Sequence, residues 1–270
     1  MSLDITKNNI YKNLLFGSLY ITEGIHISIA WVLTPIYLLH CEFTPDIVTL
    51  YSGIIMLPWI FKFIFGYYVD SHSYYGKKKF IQFGGGLASF TLLLIPLINP
   101  VSSILGFIFI LFLGQIGIGF LDLSVDAWAI HSTNEEERGK ISGSMTIGLY
   151  LGLLVGSGIL TPLAETINFP TAYFIGGLII LSITCIVFFI KEQIKKTKKQ
   201  PIMNSLITEL NQKKMFYFLL FLSLVALNSG IISLTLPLYM DTYLELNVAL
   251  IGLISALASI SRAIGAFVFG

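Results

Sequence analysis

Gly-Tyr-Tyr-Val-Asp-Ser-His-Ser-Tyr-Tyr-Gly-Lys-Lys-Lys, residues 66–79, is a polar, basic break between two apolar runs. Its lysines, Lys77, Lys78 and Lys79, belong to a pattern: fourteen of the sixteen Lys and Arg residues fall at the N-terminus and in 70–79, 131–140 and 191–214. The intervening connections, 40–46, 99–102, 164–170 and 240–247, carry five acids and no basic residue. Loops that stay in the cytoplasm retain Lys and Arg, and translocated loops lack them. The alternation predicts an all-α integral membrane protein with its N-terminus in the cytoplasm, placed in the cell (inner) membrane.

Composition points the same way. Hydrophobic residues make up 55% and charged residues 11%, against roughly 25% charged in a soluble domain. A soluble fold of this length has no interior large enough to hide that apolar surface. A helix crosses the hydrocarbon with about 20 apolar residues, because lipid offers no partner for a bare peptide group. Eight spans are predicted near 14–39, 47–69, 79–98, 103–130, 141–163, 171–190, 215–239 and 247–270. Pro58 is expected to bend the second. The polar N-terminus and the length of the first apolar run argue against a cleavable signal peptide. Cys41 and Cys185 fit no metal or redox spacing and read as bystanders.

The longest polar stretch, 191–214, reads as a basic cytoplasmic linker. It divides the chain into a six-helix half, 1–190, and the first two helices of a second half, 215–270. After the linker the text restarts. Asn228-Ser229-Gly230 precedes Pro237 much as Glu23-Gly24 precedes Pro35. Repeated halves are a habit of transporter folds. Extending the repeat makes the chain an incomplete copy of a protein of about twelve spans; the other reading is a genuine eight-span protein.

Ionisable groups inside a membrane are costly unless they face a partner or a cavity. Glu23 and His26, three residues apart, share a face of the first span, with Thr34 further out on a similar face. Glu23 lies about 15 Å from the cytoplasmic edge at 1.5 Å per residue, near the midplane. Lys62 and Asp122 lie at a similar depth, so Lys62 has two possible partners, Asp122 and Glu23. Asp122 and Asp126 continue a polar stripe through Gln115 and Gly119 on the fourth span. Arg262 is the single charge of the last span. Each of these also has a plainer reading, a buried pair that fixes helix register. Gly148, Gly152 and Gly156 form a small-residue stripe whose expected role is close helix packing.

Gly66 and Asp70, followed by Gly76 and the three lysines, resemble the loop between spans two and three of the major facilitator superfamily. Ser71 and His72 stand where that family commonly has an arginine after the aspartate. Leu57-Pro58-Trp59 with Lys62, Asp122 with Asp126-Ala127-Trp128, and Glu137-Arg138-Gly139 resemble the branch of AmpG-type muropeptide permeases and acetyl-coenzyme A transporters, and more distantly folate–biopterin transporters. The resemblance implies a major facilitator type helical bundle, here about eight helices of an expected twelve. It implies a secondary transporter working by alternating access on a muropeptide-like or coenzyme-A-ester-like solute.

Within that frame, Glu23, His26 and Lys62, with Tyr20, Gln115 and Asn228 as polar lining, are expected at the proton-coupling and substrate site. Gly66, Asp70, Asp122, Asp126 and Arg138 form the expected gating set. The partners expected are a small-molecule substrate, protons and the lipid bilayer, with no nucleic acid. No cofactor or metal is expected. The chain contains no P-loop, and Gly84-Gly85-Gly86 lies inside an apolar span, so the energy source would be an ion gradient.

Two other classes remain on the sequence alone. Asp122 and Asp126 have the spacing with which an intramembrane prenyltransferase-like enzyme holds magnesium diphosphate, but no span offers the second acidic cluster. The pair also lacks the Gly-x-Gly-Asp context of intramembrane aspartyl proteases, since Phe120 follows Gly119. A structural or signalling membrane protein predicts no polar cavity between helices.

Overall fold

The computed structural model describes residues 8–72, 74, 76–192 and 212–269, without the side chains at 222, 226, 228–230, 234 and 266–269. Every regular element among them is helical. The spans are α1 (Asn9–His40), α2 (Pro45–Ser71), α3 (Lys77–Leu97), α4 (Ile104–Ser132), α5 (Glu135–Thr166) and α6 (Phe169–Phe189). They are followed by α7 (Lys213–Thr242) and α8 (Val248–Phe269). Among the described residues, seven helices have the length and apolarity to cross a membrane. The 30-residue helix α7 stands where the sequence places the seventh span. Most of the expected linker, 193–211, lies outside the described residues.

Two starts fall earlier than hydropathy predicts, and in each case a polar group accounts for the extra turn. Asn8 caps α1, its side chain accepting from the Ile10 N–H at 2.9 Å, and the buried Lys12 pairs with Glu137 at 2.9 Å. The first turn of α5 is Glu135-Glu136-Glu137, and acids there complement the positive end of the helix dipole. Apolar content says where lipid is, whereas capping decides where the helix begins.

Proline sets the irregularities. In α1 a π-helical segment, Ile29–Leu33, precedes Thr34-Pro35; in α5 another, Gly156–Leu160, precedes Thr161-Pro162. A proline has no N–H for the residue four back and its ring crowds that carbonyl, so the helix widens locally. The bend expected at Pro58 appears three residues on, where α2 breaks at Phe61 and restarts at Lys62.

The tightest contact joins α1 to α5. A side chain at Gly148 would meet the backbone of Gly17, one at Gly152 would meet Ile21 and Gly24, and one at Gly156 would meet Ser28. The glycine stripe is thus a packing seam, as its spacing suggests. Its complement on α1, Gly17 with Gly24, shows no stripe at four-residue spacing. A second seam sets Gly84 of α3 against Gly117 of α4. The helix α8 lies on α5, with Gly252 against the Ser157 carbonyl and the Ala249 N–H donating to Glu165 at 2.7 Å.

Three buried apolar clusters form. Val32, Ile36, Met240, Val248 and Ile251 join α1 to α7 and α8, and the other two lie toward opposite ends of the bundle. One, toward the end of the bundle with the acidic loops, includes Ile29, Leu33, Ile55, Phe107, Leu111 and Tyr173. The other, toward the end with the basic loops, includes Phe16, Leu19, Ile81, Leu121, Val125 and Trp128. Large apolar side chains such as Phe63, Phe90, Leu105 and Phe109 cover the outside, as a lipid-facing surface requires.

Replacing Gly152 by Leu pushes the two backbones apart and is expected to cost about 1–3 kcal/mol, the usual penalty of overpacking. Gly86, which has open space at its Cβ position, is the control. Melting in detergent, followed by size-exclusion chromatography, should show a clear loss for G152L and little change for G86L.

Candidate functional site

The polar residues of α1 and α4 occupy the depth between the apolar clusters at the two ends of the bundle. On α1, Tyr20, Glu23 and His26 follow Leu19 and precede Ile29. On α4, Gln115 and Asp122 lie between Leu111 and Val125. Glu23 is 14 residues beyond Asn9 in a 32-residue span, which is about 21 Å along the axis and close to its middle.

At the centre is an ion pair between Lys62 and Asp122. Sequence depth left Lys62 with two possible partners, and the break at Phe61 brings it to α4. Glu23 and Asp126 are still near enough to act on the ammonium electrostatically. The ammonium also lies over the Trp59 ring, 4.7 Å from its centroid, a position in which the negative face of the ring attracts a cation. Trp59 in turn donates its Nε1–H to Gln115 Oε1 at 2.7 Å. Three residues separate Trp59 from Lys62, so the helix aims both at α4. That i, i+3 relation was visible in the sequence, but nothing in it marked Trp59 as a site residue.

Tyr20 links α1 to the same group. Its hydroxyl lies 3.0 Å from Asp122 Oδ1 and also reaches Asp126 Oδ1. One phenolic proton is shared between two carboxylates in this arrangement, and the Lys62 charge offsets part of their negative charge. The four-residue spacing of the aspartates puts both on the face of α4 that meets Tyr20.

Glu23 and His26 behave differently. Both are buried, Glu23 at 5% and His26 at 1% exposure. Glu23 Oε2 and both ring nitrogens of His26 have no hydrogen-bond partner among the described residues. The two side chains share a face but no hydrogen bond. His26 instead packs toward Gly114 of α4, next to Thr91 of α3. Thr34, on the outer continuation of that face, is hydrogen-bonded to Tyr173 at 2.8 Å.

The expected gating residues divide by position. Asp70 pairs with the buried Lys77 at 3.1 Å, and Gly76 between them adopts φ 86°, which glycine takes without strain. Gly66 faces Leu123 of α4. Arg138 is exposed, and its neighbour Glu137 makes the ion pair to α1. Glu192, a residue of the basic stretch that no motif singles out, accepts from the Lys77 and Lys78 N–H groups at 2.6 and 3.0 Å. Lys78 Nζ returns the contact to the carbonyls of Phe188 and Ile190. The side chain of Asn228 lies outside the described residues.

A cleft of about 70 Å³ opens between α1, α5, α7 and α8, with Arg262 on its wall. No group of three or more His, Cys, Asp or Glu side chains suited to a metal ion occurs among the described residues.

These features define a multi-pass helical membrane protein with a layer of charge held at mid-depth. A match to the Major Facilitator Superfamily extends over residues 16–270, and the chain belongs to that family. Its members are secondary transporters, which move small molecules across a lipid bilayer and are not enzymes.

The Lys62–Asp122 contact can be weighed by a double-mutant cycle. Removing one partner leaves the other charge unbalanced inside the bundle. The cycle K62M/D122N should give a coupling of about 1–3 kcal/mol in detergent unfolding, and K62M/E23Q a smaller one. Equal couplings would mean that Lys62 does not distinguish the two acids.

Proposed function

We propose that this protein is a proton-coupled transporter that moves a small polar or anionic solute by alternating access, with Glu23 as the proton-coupling group. The observation that carries the reading is the charge balance of the central layer. Three carboxylates, Glu23, Asp122 and Asp126, stand around one lysine, and Asp122 holds that lysine while Glu23 Oε2 has no described partner. A proton on Glu23 relieves the imbalance, and losing it toward the other side of the membrane restores the charge. A conformational change that alters the surroundings of Glu23 then couples to proton movement. The Tyr20–Asp122–Asp126 group, joining α1 to α4, serves as the gating network beside it. His26 lines the same layer without bonding to Glu23.

The branch resemblance of Asp126-Ala127, Glu137-Arg138-Gly139 and Lys62 supports a muropeptide-like or coenzyme-A-ester-like solute. The bonding of Asp122 to Lys62 and of both aspartates to Tyr20 weighs against the prenyltransferase-like reading, since three of their four carboxylate oxygens are already engaged. The two-half organisation, 1–190 and 215–270 about a basic linker, gains support from the turns. Glu42 after α1 and Glu245 after α7 are the two non-glycine residues with positive φ among those described, each three residues before the next helix. The basic loops support a cytoplasmic N-terminus in the cell membrane.

In proteoliposomes with an imposed pH gradient, the full-length protein should accumulate a labelled muropeptide or coenzyme A ester, and a protonophore should abolish the gain. E23Q should lose accumulation by at least about tenfold, the scale expected when coupling energy is withdrawn, while still exchanging solute. Accumulation that survives E23Q sinks the coupling assignment. D126N protein that reaches the membrane should move solute more slowly; normal rates would remove Asp126 from the gate.

A further inference from the structure

Pro58, Trp59 and Lys62 surround the break in α2. The first part of that helix ends at Ile60, Phe61 leaves helical geometry with ψ 9°, and the second part starts at Lys62. Pro58 offers no N–H to the carbonyl four residues back, so the backbone ladder is interrupted just before the lysine. Helical geometry alone therefore does not aim Lys62. A contact between side chains spans the break instead, with the ammonium 4.7 Å from the centroid of the Trp59 ring.

The ring is itself held. Its Nε1–H, which can only donate, bonds to Gln115 Oε1 at 2.7 Å. Gln115 is fully buried, and its neighbour Gly114 has the His26 ring against it, so the acceptor stands on a packed stretch of α4. Gln115 Nε2 has no hydrogen-bond partner among the described residues. Burying an amide N–H in that state costs stability, a cost that a space-filling leucine would avoid. Orientation of the indole is the return for it.

Several groups compete for the ammonium. Lys62 pairs with Asp122, while Glu23 of α1 and Asp126 of α4 also act on its charge. Tyr20 bonds to both aspartates, and His26 shares the α1 face with Glu23. Coulomb attraction alone chooses poorly among neighbouring like charges. A cation on an aromatic face shifts such an equilibrium by roughly two- to thirtyfold. Gln115 and Asp122 lie seven residues apart on one stripe of α4, so a ring tied to Gln115 favours the partner on the same helix.

We propose that Trp59, oriented by Gln115, is a positioning residue for Lys62: it holds the ammonium on α4 against Asp122 and so leaves Glu23 free to take up and release the coupling proton. The role deepens the transporter reading and rests on it for the part played by Glu23, while the hold on Lys62 stands on the contacts themselves. Without the ring, Lys62 divides its time between Asp122 and Glu23. A glutamate that has the lysine as partner no longer needs the proton, and the link between proton and solute weakens.

Two independent readouts test the role. The chain has three tryptophans, so W31F/W128F leaves Trp59 as the sole reporter. An ammonium against an indole quenches its emission. In purified full-length protein K62M should therefore brighten Trp59, and Q115L, which frees the ring, should brighten it too. In proteoliposomes made with the native tryptophans, W59L should lose proton-driven accumulation of the labelled muropeptide or coenzyme A ester by roughly two- to thirtyfold, the worth of the cation–ring contact. Exchange should fall by less. W59F keeps an aromatic face and should recover part of the loss. If W31F/W128F does not fold, the split between accumulation and exchange in W59L and W59F decides alone.

Trp59 emission unmoved by K62M or by Q115L overturns the proposal. Equal losses of accumulation and exchange in W59L overturn it as well, since they mark a structural role. An emission response without any proton-driven uptake upholds the hold on Lys62 and removes the transporter reading. Proton-driven uptake that E23Q abolishes and W59L leaves intact upholds that reading and removes the positioning role.

Discussion

The close approach of α1 and α5 orders the rest of this bundle. Where Gly17 and Gly24 meet Gly148 and Gly152, the helices touch through backbone atoms. Apolar association gives two helices in lipid little reason to pair, so near contact of backbones takes its place. With that side of α1 committed to α5, Tyr20 meets the aspartates of α4 and His26 reaches Gly114 of the same helix. The mid-depth layer of charge thus depends on residues that carry none. Any side chain added to the seam would displace the helix that bears Glu23.

Charge in the middle of the bundle is tolerated because it is enclosed. Apolar clusters lie on both sides of the layer, one through Phe16 and Trp128 and one through Phe107 and Tyr173. Inside it, Lys62 has a carboxylate and an aromatic face, while Glu23 Oε2 has no hydrogen-bond partner among the described residues. Satisfied polar networks rigidify a core, and an unsatisfied member marks the place where a change of protonation is least costly. The contrast between Asp122 and Glu23, two acids within reach of one lysine, is the asymmetry on which the proposed coupling turns.

Each end of the bundle is tied by a carboxylate. Glu137 joins α5 to Lys12 of α1, Glu192 caps α3 from the end of α6, and Glu165 caps α8 from the end of α5. Carboxylates suit this work because the first N–H groups of a helix lack internal partners and carry partial positive charge. The paired π-helical turns before Thr34-Pro35 and Thr161-Pro162 place similar soft points in the two helices that share the glycine seam. Both lie on the acidic-loop side of the charged layer, where widening the helix leaves the layer itself intact.

The sequence by itself determined that the chain is a bundle of long apolar helices, and roughly where each lies. Exclusion of bare peptide groups from lipid acts on any twenty-residue window and needs no tertiary information. It also determined the short list of intramembrane charges, since so few occur, and the packing role of Gly148, Gly152 and Gly156 from their spacing alone. Only the tertiary structure decided which of these charges meet. Lys62 pairs with Asp122 beyond the break of α2 at Phe61, Tyr20 bonds to the aspartates, and Glu23 Oε2 has no partner among the described residues. Trp59 and Glu192 take their meaning from helices distant in sequence. Hydropathy is a property of one segment, whereas pairing depends on the rotation and depth of two, and no window of sequence contains both.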